Sequence, residues 1–144
     1  MVDLARTFND LIRLETTLWN AVDARLKETN GLTLARFETM QVLQSDGPCR
    51  VLDIAERLNI SWGGVSKIVD RVQAAGHCRR DPNPDDARSS LIALTPAGRE
   101  MTTRAAATLH EELHRRLAAN LTPNQLEDLS HTLTQLLAAT RRES

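Results

Sequence analysis

Three groups of residues in this 144-residue chain have types and spacings that could do chemistry. The first is Ser61, Trp62, Gly63, Gly64, Ser66 and Lys67, with Arg71 one turn further on. Short polar side chains, a cation and two glycines at the start of a helix suit entry into the major groove of DNA, where the backbone must come close to base edges. Each glycine costs such a helix about 1 kcal/mol of propensity, which a purely structural helix has little reason to carry. Trp62 can pack on a thymine methyl or a sugar, or serve as a partly exposed core residue. Lys67 and Arg71 suit phosphate or guanine contacts, or a solvated charged face. The second group, His110-Glu111-Glu112-Leu113-His114, is an H-E-x-x-H on an expected helix. Two imidazoles at i, i+4 can share a zinc ion, with Glu111 as base. Glu112 and Arg115 argue against a peptidase, whose helix is buried and uncharged at those positions; a charged exposed face is the alternative. The third group is the pair Cys49 and Cys78, too few for a disulfide framework. Thiolate chemistry needs a lowered pKa. Arg79 beside Cys78, and the start of a helical segment beside Cys49, would favour it; two buried inert thiols are the alternative.

The DNA-suited helix needs other elements to hold it. Ser61 can cap its first free N–H groups. Val65, Ile68, Val69 and Val72 recur at helical spacing, opposite Trp62, Gly63, Ser66 and Lys67, and Gly76 stops the helix. Upstream, Leu4, Phe8, Leu11, Leu18, Val22 and Leu26 predict a first helix over 2–28. Leu34, Phe37, Met40 and Leu43 predict a second, capped by Thr33 and ended near Asp46-Gly47-Pro48. A short third helix over 52–58 and a turn at Asn59-Ile60 complete a helix-turn-helix. Downstream come a strand over 77–81, a turn-rich tip from Pro82 to Asp86 and a return strand over 89–94. Thr95-Pro96 opens a long fifth helix carrying Met101, Ala105, Leu109, Leu113 and Leu117. Thr122-Pro123-Asn124-Gln125 has the form of a capping box before a sixth helix with Leu126, Leu129, Leu133 and Leu136.

Aromatic residues make up only 3% of the chain, so the core must be Leu, Ile, Val and Ala. No apolar run of ~18 residues predicts a membrane span, and the first residues lack a secretory pattern; both favour the cytoplasm. The net charge of −1 is unusual for a DNA-binding protein. The charge is unevenly placed, however. From Cys49 to Arg80 there are six basic residues against three acidic ones.

After the helix, the hairpin reads Asp86-Ala87-Arg88, then Leu91, then Leu94-Thr95-Pro96-Ala97-Gly98. This D-x-R, short strand and L-T-x-x-G resembles the wing of the MarR family of winged helix-turn-helix transcriptional regulators. The helix layout is similar over nearly the whole chain. Departures from the family pattern are Asp81 and Ala87, where a basic residue is common, and His77-Cys78 in place of an apolar pair.

The resemblance implies a mainly α, winged helix-turn-helix fold with a small β-hairpin wing: one MarR-type domain over 1–144, a DNA-binding lobe over 33–98, and dimerisation helices over 1–30 and 97–142. It implies a sequence-specific, non-enzymatic transcription regulator, a repressor, that binds double-stranded DNA at a pseudo-palindromic operator as a homodimer. Ser61, Trp62, Gly63, Gly64, Ser66, Lys67, Arg71 and Arg88 would contact DNA, and an Asp86–Arg88 salt bridge would orient the wing. A small-molecule effector would release the DNA from a cleft lined by helices one, two and five, with Phe8, Trp19, Phe37 and Met40 as lining residues or plain core. No cofactor and no membrane partner are expected. The alternative is a metal- or redox-sensing regulator of the same fold. Metal would be held by His110 and His114, with Glu38 or a cysteine; redox sensing would use Cys49 or Cys78. The remote alternative is a zinc hydrolase built on His110, Glu111 and His114.

Overall fold

The structure, a computed structural model, describes residues 1–143. The chain forms two compact units, Met1–Leu109 and His110–Ser144.

The first unit opens with helix α1 (Leu4–Asn30). It begins two residues later than the apolar spacing suggests because Asp3 caps it, accepting from the Arg6 N–H at 3.0 Å. It also runs two residues further, because Gly31 at φ 68° takes the left-handed turn that closes it. Helix α2 (Leu34–Asp46) is capped by Thr33, as expected. Asp23 of α1 also reaches it, accepting the Leu34 N–H at 2.9 Å while paired with Lys27 at 2.8 Å. Lys27 and then the Leu34 amide hold the Asp23 carboxyl below the usual carboxylate range. Helix α3 (Val51–Leu58) ends at Asn59, the one non-glycine residue with positive φ (54°) among the described residues. Helix α4 (Trp62–Ala74) follows after Ile60 and its cap Ser61. Three of the four stripe residues on α4 are fully buried: Val65, Val69 and Val72. Phe37 and Met40 of α2, Ile54 of α3 and Ile92 of the hairpin are fully buried too, and α2, α3 and the first strand of the hairpin all pack against α4. Burying each such side chain contributes roughly 1.5–3 kcal/mol, so the opposite face of α4 is held firmly toward solvent.

Strands β1 (Cys78–Pro82) and β2 (Ser90–Leu94) pair antiparallel, with Cys78 opposite Leu94 and Pro82 opposite Ser90. Cys49 adds a bridge on the other edge of β2. Its N–H donates to the Ile92 carbonyl at 3.1 Å and its carbonyl accepts from Ile92 at 2.7 Å. The expected first strand residue, His77, instead belongs to a joint. Its N–H donates to the Val72 carbonyl at the end of α4, and its carbonyl accepts from Thr95. The Thr95 hydroxyl donates to the Gly76 carbonyl at 2.6 Å and accepts the Gly98 N–H at 3.0 Å, capping helix α5 (Pro96–Arg116). A Cβ on Gly98 would stand 1.9 Å from the His77 carbonyl oxygen, so only glycine fits there. The L-T-x-x-G stretch is therefore a clasp between the end of α4 and the start of α5.

The second unit holds the last turns of α5, a short 3₁₀ turn (Ala118–Asn120) and helix α6 (Pro123–Arg142). The capping box forms as expected. Gln125 N–H donates to the Thr122 hydroxyl at 3.2 Å, and Thr122 N–H donates to the Gln125 side chain at 2.9 Å. No helix among the described residues is long and apolar enough to cross a membrane.

Candidate nucleic-acid interface

Helix α4 presents its start to solvent. Ser61 Oγ accepts the Gly64 N–H at 3.1 Å, which leaves its own hydroxyl proton free to donate outward. Trp62 is 60% exposed. Gly63, Lys67 and Arg71 are exposed beside it, at helical i, i+4 spacing, and Ser66 is half-buried. The two glycines differ. A Cβ on Gly63 would meet nothing within 4 Å, whereas one on Gly64 would lie 3.1 Å from Ser61 Oγ and 3.2 Å from Ile60 Cγ2. Gly64 thus serves the cap, and only Gly63 offers backbone to an approaching surface.

The wing lies along one edge of this helix. Arg80 of β1 donates through Nε to Gln73 Oε1 at 3.0 Å and through Nη2 to Asp70, both on α4. Arg80 therefore works as a strut that sets the wing against the helix. Beyond it the tip is shaped by its own side chains. Asn83 Oδ1 accepts the Asp85 N–H at 3.1 Å, and Asn83 Nδ2 donates to Ser89 Oγ at 3.0 Å. The expected Asp86–Arg88 salt bridge is not formed: Asp86 Oδ1 instead accepts the backbone N–H of Arg88 at 2.9 Å. Two residues apart in a turn, the carboxylate reaches the amide more easily than the guanidinium. Arg88 is left exposed and without an ion-pair partner among the described residues, as are Lys67 and Arg71. The other arginines of this region are occupied: Arg50 with Asp53, Arg57 with Asp46, Arg79 with Asp81 and Arg80 with Asp70.

Between the start of α3, the start of α4 and the wing is a cleft of about 330 Å³ lined by Arg50, Leu52, Trp62, Arg80, Arg88 and Ser90, among others. Sequence reasoning missed this cleft and the parts of Arg50 and Arg80 in it. The signal available was only their basic character; Arg50 pairs locally with Asp53, while the partners of Arg80 lie seven and ten residues away and depend on the packing of the wing.

The other residues singled out in the sequence lie outside this cleft. Phe37 and Met40 have no exposed surface and sit in the core, the second of their two readings. Phe8 and Trp19 are 62% and 40% exposed on α1, and Trp19 borders a shallow depression with Glu15, Thr16 and Asn20. Thiolate chemistry at the cysteines is opposed by their surroundings. Burial first, and then Asp53 and Asp46, push the Cys49 thiol up to about 11. Burial also raises Cys78, whose sulfur lies 3.8 Å from the Val69 carbonyl. His110 and His114 are exposed, with ring centres 6.4 Å apart. Glu112 between them is buried and bound by Arg116 and Arg115, both at 2.7 Å, which hold its carboxyl below the usual range. Glu38 is half-buried, and burial raises its carboxyl. Among the described residues no group of three or more His, Cys, Asp or Glu side chains is placed to hold a metal ion.

Comparison with known proteins agrees with this geometry. The model of the MarR family matches residues 32–90, from the residue before the α2 cap to the first residue of β2. The multiple antibiotic resistance protein MarR of Salmonella typhimurium is 24% identical over 136 residues, covering 90% of this chain and 94% of that protein. A cysteine-to-serine mutant of MarR from E. coli, solved with operator DNA, superposes with a TM-score of 0.78 at 25% identity, over 94% of this chain and 99% of that one. Sco3205, a MarR family regulator from Streptomyces coelicolor solved in complex with DNA, gives 0.85 at 22% identity, over 94% and 86%. With its exposed α4 face and strutted wing, the chain matches the model of the MarR family over residues 32–90 and shares the winged helix-turn-helix fold of MarR regulators solved with DNA.

Proposed function

We propose that this protein is a cytoplasmic repressor that binds a pseudo-palindromic operator as a homodimer and lets go when a small-molecule effector binds. The observation that carries the DNA reading is the set of three exposed cations without an ion-pair partner among the described residues, Lys67 and Arg71 along α4 and Arg88 in the wing, where Arg88 shares a cleft with the exposed Trp62. In a region where four other arginines are internally paired, these three remain free for phosphates and base edges. The dimer is supported by uncovered apolar surface. On α1, Leu4, Phe8, Leu11, Ile12 and Leu14 are all more than 45% exposed, and on α6 so are Leu136 and Leu137. Apolar residues at helical spacing in such number call for a covering surface, and a symmetric DNA site calls for a two-fold protein. Effector release rests on the resemblance to the family, and no pocket residue is assigned to it.

The test compares operator and random-duplex affinity at several salt concentrations. Arg88→Ala removes a wing contact to the backbone or the narrow minor groove; it should weaken both DNAs alike and lower the salt slope by about 1 per half-site. Lys67→Ala and Trp62→Ala should cost roughly 1–3 kcal/mol, mainly on the operator. If all three variants stay within about twofold of the parent on the operator, below ~0.4 kcal/mol, this face does not bind DNA.

A further inference from the structure

The joint between the recognition helix, the wing and α5 is built on His77. Its N–H closes the end of α4 on Val72, its carbonyl receives the Thr95 N–H that starts α5, and Gly98 presses directly on that carbonyl. Cys78, the next residue, begins the wing. A shift of His77 therefore moves three elements at once. The imidazole is poorly placed to become charged. Nδ1 is buried and has no hydrogen-bond partner. In the neutral ring with its proton on Nε2, Nδ1 is a lone pair and tolerates this; after protonation it is a buried donor without an acceptor. The charges that bear on the ring are Arg104 of α5 and Arg36 of α2, both positive. Arg36 Nε is itself buried without an acceptor, and the one carboxylate near Arg104, Glu100, is paired to it at 3.1 Å on the exposed side. Burial and the two guanidinium groups hold the imidazole below its ordinary 6.5.

We propose that His77 is a proton-operated release: uptake of a proton at Nδ1 loosens the clasp joining α4, the wing and α5, and so lowers affinity for the operator in acid. This rests on the DNA-binding reading above. The sign follows from linkage. A histidine held below 6.5 in the folded chain binds fewer protons than in the unfolded chain, so stability is full above that value and is lost as pH falls below it. The same holds for any DNA-bound state that requires the neutral ring.

The experiment uses the full chain and an operator selected from a random pool at about pH 7.5. Wild type and His77→Leu should bind equally there. Between about pH 7.5 and about pH 5.5 the wild type should lose roughly tenfold more affinity than the variant, the loss growing as the pH falls. Its thermal midpoint should fall over the same range while that of the variant stays flat. In an NMR titration the His77 ring should titrate below 6.5, and Arg36→Gln and Arg104→Gln should each raise it. Should His77→Leu fail to fold by circular dichroism, His77→Gln takes its place. Parallel pH profiles, or titration of His77 at or above 6.5, overturn the switch. Absence of operator binding by the wild type at about pH 7.5 overturns the DNA-binding reading instead, and the switch is then decided by the thermal and NMR profiles alone.

Discussion

Gly98 shows how much can rest on a missing side chain. The space its Cβ would need is filled by a backbone carbonyl at 1.9 Å, and neither helix end can retreat without breaking the Thr95 hydrogen bonds. Gly98→Ala should destabilise the chain by about 1–3 kcal/mol, the range of overpacking, read as a lowered urea midpoint at unchanged slope. Gly63→Ala, with open space around its Cβ, should leave that midpoint unchanged or raised, by up to ~1 kcal/mol of helix propensity. At this scale the sequence is legible where a residue acts on its near neighbours. Ser61, Thr95 and Thr122 all cap the helices that their positions suggest. It is not legible where the partner comes from elsewhere in the chain. Nothing in Leu-Thr-Pro-Ala-Gly says that its glycine lies against His77, and nothing in Asp-Ala-Arg says that the aspartate takes an amide in preference to a guanidinium.

The six helices and the hairpin follow from apolar spacing and caps, with ends shifted by one or two residues. What spacing does not contain is how the wing is set against the recognition helix. That angle depends on Arg80, whose charge would otherwise count toward DNA. Asp70 carries the opposite charge on α4 and is itself exposed. Asp70→Asn should release Arg80 toward phosphate while loosening the wing. Random-duplex affinity should then rise about threefold and the salt slope steepen by about 1 per half-site, while discrimination in favour of the operator falls. A variant with unchanged salt slope would mean that Arg80 stays where it is without Asp70. The same logic explains why the local surplus of basic residues overstates the free charge of the surface: four of the arginines between Cys49 and Arg80 already have carboxylate partners.

For the whole molecule, the apolar residues left uncovered on α1 make a dimer the expected state, and its disruption the clearest measurement. Removing residues 1–28 should give an insoluble or monomeric product in sedimentation; a soluble dimer with full operator affinity would show α1 to be dispensable. In the intact dimer, half-sites should lie about 10 bp apart, one helical turn. The wing tip has a consequence of another kind. Its loop from Pro82 to Ser89 is already tied by Asn83, Asp86 and Ser89, with hydrogen bonds from 2.9 to 3.4 Å. A loop that meets DNA already in shape surrenders little chain freedom on contact. Binding calorimetry over a range of temperatures should therefore return a heat-capacity change that matches the apolar area covered by rigid docking, without the extra decrease that accompanies folding on contact. Asn83→Ala, which unties the tip, should bring out that extra decrease and slow the formation of the complex.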